Sequence, residues 1–279
     1  MTISVNTNLF SLNAQRKLSQ SQSSLSTSMQ RLSSGLRINS AADDAAGLAI
    51  SQRMSAQVRG MNVAIRNAND GISLAQTADG ALSSVGDSLQ RMRELAVQSR
   101  NSTNSDSDKE SLDLEFKQLS SEIGRVLGGT TFNGKAILGS DAGTLTFQVG
   151  ANVTTNDSID IATTDLTADA KITTVTGASI GSAADATAIG TVITNIDAAI
   201  DDINSQRATF GASQNRFNSV VANLQTSVEN QSAASSRITD ADFAAETASM
   251  SRAQILQQAG TAMVAQANQI PQSVLKLLG

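Results

Sequence analysis

The chain has 279 residues, with 20 Lys and Arg against 25 Asp and Glu, so its formal net charge is −5. This mild acidity gives no electrostatic reason to bind nucleic acid or an anionic membrane. Because His and Cys are absent, a thiol nucleophile, a Ser-His-Asp relay, a Cys/His zinc site and a disulfide framework are all excluded. We therefore expect a protein that is not an enzyme, with no catalytic residue, no metal and no cofactor.

The N-terminus carries no obvious targeting signal. Residues 1–6 lack the basic segment and following apolar segment that mark a cleaved secretory signal. The longest nearly apolar stretch, residues 45–50, is far shorter than the roughly 20 residues that span a bilayer. Taken alone, these features favour a cytoplasmic protein with no membrane segment.

The first and last predicted elements are two terminal helices. Apolar residues recur near each end at steps of three, four or seven residues, which places them on one helical face. Two terminal helices with matching apolar stripes are most simply interpreted as partners. We expect these residues to pack in an inner coiled coil: Leu18, Leu25, Met29, Leu32, Leu36, Leu256, Met263, Ile270, Val274 and Leu277.

Three longer helices are predicted between the ends. Apolar steps alternate between four and three residues over 54–96, 112–126 and 189–228, which is the pattern of a coiled-coil seam, the stripe that faces another helix. Arg207 and Gln214 are polar residues at seam positions of the last run. Helices of this length need a partner for their apolar stripe. The predicted fold class is therefore mainly α, with long antiparallel helices in coiled-coil packing.

Polar residues at the breaks between these runs predict helix N-caps. Asn39 with Ser40 and Thr239 with Asp240 are the candidates at the two terminal breaks. Before the second long helix, Ser107 followed by Glu110 has the spacing of a capping box.

The middle of the chain predicts a small β region. Heptads vanish between residues 130 and 188, and Asn133-Gly134 is a hairpin-turn signal. Apolar residues alternate over 145–149 and again over 159–161, as expected for strands. We predict one or two hairpins here, whereas residues 165–188 give no clear pattern.

These patterns divide the chain into three predicted regions. The expected boundaries are 1–42 with 238–279 for an inner coiled-coil domain, 43–130 with 189–237 for a helical domain, and 131–188 for a β-hairpin or variable surface region.

Two segments resemble chemical motifs. Residues 129–136 nearly match a phosphate-binding loop, but Ala136 stands where Ser or Thr should hold magnesium. Asn104, Asp106, Asp108 and Glu115 have the spacing of a calcium loop, but Lys109 replaces the glycine that makes its sharp turn. A turn and a helix cap explain the same residues with fewer assumptions.

Long segments at both ends closely resemble bacterial flagellin. They are LSTSMQRLSSGLRINSAADD (25–44), LQRMRELAVQSRNS (89–102), TFNG (131–134), GASQNRF (211–217), MSRAQILQQAGTAMVAQAN (250–268) and VLKLLG (274–279). The resemblance implies a structural subunit that self-assembles into the bacterial flagellar filament and confers swimming motility. The short middle implies that large outer domains are lacking. A soluble coiled-coil adaptor or a hook–filament junction protein with similar ends is the alternative.

The same resemblance implies a location and partners. It implies secretion through the flagellar type III channel without a cleaved signal peptide, which reverses the cytoplasmic interpretation. Expected partners are other copies of the chain, an export chaperone, and cap and junction proteins. Host innate immune receptors are further possible partners.

Two groups of residues match positions that carry recognition in flagellins. Gln90, Arg91, Leu95 and Glu115 match a surface that contacts neighbouring subunits and a cell-surface Toll-like receptor. Arg91 and Glu94 are three residues apart, so they are also expected to form an ion pair on one helical face. Leu275, Leu277 and Leu278 match an end that docks the export chaperone and is recognised by cytosolic immune sensors.

Overall fold

The structure is a computed structural model that describes the backbone of residues 7–278 and the side chains of residues 7–269. Its elements in chain order are α1 (Leu9–Ser34), α2 (Ala45–Ser99), α3 (Asp106–Gly129), β1 (Thr131–Phe132), β2 (Lys135–Ala136), β3 (Thr144–Gln148), a 3-10 turn (Thr155–Asp157), β4 (Ser158–Ala162), α4 (Ala170–Thr176), α5 (Ala186–Thr239) and α6 (Phe243–Leu278). This arrangement confirms the predicted fold class, including the small β region.

The chain forms two compact units. Met1–Ala56 and Asn230–Gly279 make up one, here the terminal unit, and Gln57–Glu229 makes up the other, here the central unit. Among the described residues, none of the helices combines the length and hydropathy needed to cross a bilayer.

The core of the central unit lies where α2, α3 and α5 meet. Some of the seam positions predicted from the heptads, such as Ile72, Leu112 and Ile193, are only half-buried against this core. Many of the others are fully buried on all three helices, which is how such long helices cover their apolar stripes. Examples are Leu82, Leu89 and Met92 on α2, Phe116 and Ile123 on α3, and Ile196, Ile203, Phe210 and Phe217 on α5.

Phe217 shows how closely this core is packed. A Cβ added at Gly71 of α2 would lie 2.7 Å from the Phe217 ring, so only glycine leaves room for that ring. The same ring also meets Phe147 of β3 edge-on, with centroids 5.5 Å apart and an interplanar angle of 82°. The β3–β4 hairpin is thereby joined to the long helices of the central unit.

Two antiparallel hairpins make up the β region, as predicted. In the first, Asn133 and Gly134 have φ values of 49° and 79°, which fits the two-residue hairpin turn that Asn-Gly favours. In the second, Leu145 is opposite Ile161, and Phe147 is opposite Ile159. The alternating apolar side chains of these two strands pack against the core.

The segment between α4 and α5, which gave no sequence pattern, is fastened to α3 by a buried carboxylate. Asp113 accepts hydrogen bonds from Ser179 Oγ at 2.8 Å and from the Ile180 N–H at 2.7 Å. Lys117 Nζ lies 2.6 Å from the same side chain. Ser99 Oγ of α2 donates to the Ile180 carbonyl oxygen at 2.5 Å. We name these five residues the Asp113 clasp.

Two of the predicted N-caps are wrong. Asn39 and Ser40 instead donate their N–H groups to the Asp43 carboxylate at 3.1 and 2.8 Å. The helix that follows begins later, and Asp44 caps it by accepting the Gly47 N–H at 2.8 Å. The physical reason is that the chain makes a turn around Asp43 before α2 can begin.

The other predicted caps are wrong in the same way. Thr239 is the last residue of α5 and Asp240 bridges to Leu36, so α6 is capped by Asp242. The cap of α3 is Ser105, which forms a capping box with Asp108 rather than a box between Ser107 and Glu110. Glu110 instead accepts the Ser182 N–H at 3.0 Å.

Candidate functional site

The terminal unit is built on an antiparallel pair of helices, α1 and α6. At one end, Asn8 Nδ2 donates to the Ala267 carbonyl oxygen at 2.7 Å, and Ser11 Oγ donates to Asn268 Oδ1 at 2.7 Å. At the other end, Leu36 pairs with Asp240 in an isolated antiparallel bridge. These contacts fix the register of the two helices over the whole length of α1.

Small residues line the seam between α1 and α6. The buried side chains there are Ser11, Ser28, Ala253 and Ala267. At Gly260 the two helices approach each other closely, since a Cβ at this position would lie 3.1 Å from Leu18 Cδ1. The two backbones therefore lie close together, and the fully buried side chains between them are small.

The larger apolar residues predicted for this seam are only partly covered. The structure half-buries Leu18, Leu25, Leu32 and Leu36, and it leaves Met29, Leu256 and Met263 exposed. Ile270, Val274, Leu275, Leu277 and Leu278 lie outside the residues whose side chains are described. Other large apolar side chains on the same helices are also exposed, namely Leu9, Phe10, Leu12 and Ile255.

Along the α1–α6 pair, the residues whose side chains are described form a larger and a smaller groove. The larger has a volume of ≈ 850 Å³, and its walls include Phe10, Leu256 and Met263. The smaller has a volume of ≈ 230 Å³ and is lined in part by Leu25 and Met29. Exposed apolar surface of this extent is typical of a surface that associates with another molecule.

A second candidate surface lies on α2 and α3 of the central unit. Arg91 Nη1 is 2.8 Å from Glu94 Oε2, which is the predicted pair, and Arg91 Nε is 2.9 Å from Glu115 Oε1 on α3. The hydrogen bond to Glu115, followed by that to Glu94, raises the pKa of Arg91. Gln90 is exposed beside them, whereas the Leu95 side chain is buried. The structure thus brings Arg91 and Glu115 together at the surface, whereas Leu95 lies in the core.

The motif-like segments have structural roles. Asn104 Nδ2 donates to the Gln98 carbonyl oxygen at 2.6 Å, Asp108 belongs to the cap of α3, and Glu115 pairs with Arg91. Within the part of the chain that the structure describes, no group of three or more His, Cys, Asp or Glu could hold a metal ion. Residues 129–136 comprise the end of α3 and the first hairpin, not a loop leading from a strand into a helix.

Apart from the Arg91–Glu94 pair, the polar contacts of both surfaces were not predictable from spacing. Arg91 and Glu115 are on different helices, and Ser11 and Asn268 are 257 residues apart. Heptad positions specify which face of a helix is buried but not which helix it meets. For Arg91 and Glu115 the resemblance to flagellin gave the signal, whereas for Ser11 and Asn268 there was only their polar type.

The fold consists of long packed helices, and the α1–α6 pair leaves large apolar side chains exposed. These features define a class of structural proteins that associate through helical faces. Comparison with known families identifies the particular one. The family "Bacterial flagellin N-terminal helical region" matches residues 5–143, and "Bacterial flagellin C-terminal helical region" matches residues 193–278.

Whole-length relatives carry the same name. A flagellin of Halalkalibacterium halodurans is 46% identical over 274 residues, covering 98% of this chain and 99% of the relative. A flagellin of Bacillus subtilis is 43% identical over 303 residues, covering 98% and 99%. The crystal structure of Bacillus cereus flagellin aligns with a TM-score of 0.50 and 35% identity, over 57% of this chain and 88% of that one.

The chain therefore belongs to the bacterial flagellins. As a member of this family it is a structural subunit that polymerises with copies of itself into the extracellular flagellar filament of a motile bacterium.

Proposed function

We propose that the terminal unit is the part of this flagellin that contacts neighbouring copies in the filament core. The observation that carries the proposal concerns the α1–α6 pair. The side chains buried in its seam are small, whereas Met29, Leu256 and Met263 are more than half exposed. Covering such side chains releases about 25 cal/mol per Å² of apolar surface. A second copy offers the same helices and therefore matching apolar surface.

The test compares two exposed apolar side chains, one in each unit. Leu256 of the terminal unit and Val153 of the central unit are both more than half exposed, so Leu256→Ala and Val153→Ala should each leave the monomer folded. We expect Leu256→Ala to raise the critical concentration for seeded assembly about tenfold or more, because a leucine buried on assembly is worth about 1.5–3 kcal/mol. Val153→Ala should change it little. Equal effects of the two variants would contradict the proposal.

The same assay separates the two classes of protein that the sequence left open. A filament subunit grows on seeds into long polymers in a concentration-dependent manner. A soluble adaptor or a hook–filament junction protein would remain a small oligomer under the same conditions.

We further propose that the C-terminal end, with Leu275, Leu277 and Leu278, contributes to the same inner core and docks the export chaperone before assembly. Membership of the flagellins supports this proposal. Changing Leu277 and Leu278 to Ala should lower both seeded assembly and chaperone binding. Deleting residues 256–279 should abolish assembly while the central helices stay folded by circular dichroism. Unaltered assembly in either protein would count against it.

The surface around Arg91 is proposed to serve both a subunit contact and recognition of the monomer by a cell-surface Toll-like receptor. Gln90, Arg91 and Glu115 are exposed, and Arg91 contacts Glu115 directly. Leu95, which was predicted for the same surface, is buried in the core instead. Arg is a frequent interface hot spot, and its loss can cost about 2 kcal/mol or more. Arg91→Ala monomer should therefore activate the receptor about tenfold less and assemble less well.

The matched control for this variant is Arg125→Ala on α3. Arg125 is exposed and pairs with its own helical neighbour, Glu122, at 2.5 Å, so its removal makes a similar local change at another place. Receptor activation by Arg91→Ala equal to that of the parent and of Arg125→Ala would refute the recognition role.

Export is proposed to follow the flagellar type III channel, without cleavage of a signal peptide, to a filament that also contacts cap and junction proteins. The family of the chain supports this route. Secreted protein should keep its N-terminal residues by mass spectrometry, and secretion should stop in cells whose flagellar export gate is deleted. A shortened N-terminus would contradict the route.

A further inference from the structure

Two methionines of the terminal unit differ from those of the central core in their exposure. Met29 on α1 is 54% exposed and Met263 on α6 is 63% exposed. In the central unit, Met61 is 8% and Met92 is 0% exposed. Oxidation of a thioether depends on access to the sulfur. A peroxide should therefore reach Met29 and Met263 before it reaches the methionines of the core.

Each of these methionines is on the wall of a groove between α1 and α6. Met263 lines the larger groove with Phe10 and Leu256, and Met29 lines the smaller one with Leu25. A methionine thioether is apolar and adaptable, so it suits an interface that packs against another molecule. A sulfoxide at either place would put a polar S=O group into that contact.

We propose that Met29 and Met263 are oxidation sites that control assembly, and that converting either thioether to its sulfoxide stops the monomer from joining the filament. The inference rests on the proposed function of the terminal unit as the contact between subunits. The inference adds that the reversible oxidation of two methionines determines whether that contact can form.

The oxidation step needs one co-reactant, a hydroperoxide. A sulfur lone pair attacks the terminal oxygen of the peroxide, an S–O bond forms as the O–O bond breaks, and the hydroxyl proton moves to the leaving alkoxide. The thioether is oxidised to the sulfoxide by two electrons, and the peroxide is reduced to an alcohol, or to water when hydrogen peroxide is used. Methionine sulfoxide reductases reverse the change.

The effect on assembly follows from burial of a polar group. In the monomer, the sulfoxide oxygen is exposed and hydrogen-bonded to water, so folding of the monomer is little affected. In the filament, the same oxygen would lose water without a partner of its own. We expect the critical concentration for seeded assembly to rise about tenfold or more when either residue is oxidised.

The experiment treats monomer with dilute hydrogen peroxide, maps sulfoxides by peptide mass spectrometry and measures seeded assembly. Met29 and Met263 should be modified first, and assembly should fall in step with their modification. A variant with Met29→Leu and Met263→Leu, which keeps apolar side chains of similar volume, should assemble normally after the same treatment. The matched control, Met54→Leu with Met250→Leu, changes two half-buried methionines and should remain sensitive to peroxide.

Two further measurements complete the test: reduction of the sulfoxides, and oxidation of methionines in filaments already formed. Sulfoxide reductase should restore assembly of oxidised parent protein, which shows that the loss is reversible. The circular dichroism of oxidised monomer should match that of untreated monomer, which shows that the loss did not come from unfolding. Oxidised monomer that assembles as well as untreated monomer would overturn the inference, and so would peroxide sensitivity in the Met29→Leu, Met263→Leu variant. Peroxide treatment of filaments already formed tests the proposed function separately. Equal oxidation of both methionines in filament and monomer would contradict the subunit contact itself.

Discussion

Both units of this flagellin contain long helices with apolar stripes, but they differ in which side chains are buried between the helices. In the central unit, large side chains such as Phe116, Phe210 and Phe217 fill the space between helices and are fully buried. In the terminal unit, small residues such as Ser28 and Ala253 are buried in the seam, whereas the larger Leu256 and Met263 are exposed. A helix pair with a narrow seam gains little from its own packing, since stability grows with apolar area buried. The difference indicates that one unit folds by itself and the other is completed by assembly.

The largest expected effect is the loss of a core ring in the central unit. Phe217→Ala removes the ring that fills the space beside Gly71 and meets Phe147. Replacement of a buried Phe by Ala costs about 3–5 kcal/mol. The free energy of unfolding of the central helices, measured by urea denaturation, should fall by that amount. No shift would mean that this core does not hold the unit together, and the comparison between the units would fail.

The next effect concerns the Asp113 clasp. Burial by itself raises the pKa of Asp113, but hydrogen bonds from Lys117, the Ile180 N–H and Ser179 outweigh it, so the pKa of Asp113 is lowered overall. Asp113→Asn should cost about 1–3 kcal/mol, because the buried acceptor loses its charge and its bond with Lys117. Thermal unfolding of both proteins measures the difference.

The lowered pKa also sets the pH dependence of this effect. A carboxylate whose folded pKa is below its unfolded value, about 3.9, stabilises the protein above that value and loses its contribution as pH falls through the folded pKa. The parent and Asp113→Asn should therefore approach each other in stability as pH falls below about 4. A constant difference down to the folded pKa and beyond would show that the charge of Asp113 is not the cause.

The sequence predicted the central unit better than the terminal unit, and the reason is physical. Seam positions such as Leu89 and Ile196 were found because a heptad repeat and burial coincide when large apolar residues fill the core. The same pattern at Met29 and Leu256 marks surface that is exposed in the monomer. Periodicity identifies an apolar face, but it does not say whether the same chain or another copy covers that face.

Polar contacts over long sequence distances were beyond this kind of prediction. The hydrogen bond between Asp113 and the Ile180 N–H, and the ion pair of Arg91 with Glu115, depend on how separate helices and loops are placed together. The predictions of the helix caps were wrong for a more local reason. Several Asn, Ser, Thr and Asp residues stand near each break, and each of them can cap a helix or form a turn.

A smaller effect is expected from equivalent caps in the two units. Ser105 caps α3 in the central unit and Asp242 caps α6 in the terminal unit. Each change to Ala should cost about 1 kcal/mol of local helix stability. Ser105→Ala should lower the unfolding midpoint of the central unit, whereas Asp242→Ala should speed amide exchange along α6 and leave that midpoint unchanged. A lower midpoint in Asp242→Ala would show that the units unfold together.

The smallest effect is expected at Arg207, a polar seam position of α5. Its Nε lies 2.8 Å from Asp79 Oδ1 of α2, and both side chains are only half-buried. Such a pair contributes little, with a coupling energy of about 0.5 kcal/mol, because water screens it and two side chains lose freedom. A polar residue at a seam position can nevertheless fix the register of two helices. The double-mutant cycle of Arg207→Gln and Asp79→Asn, measured by thermal unfolding at low and high salt, should give a coupling that falls with salt. A coupling as large as the Phe217→Ala effect would mean that the seam of the central unit depends on this ion pair more than on its apolar core.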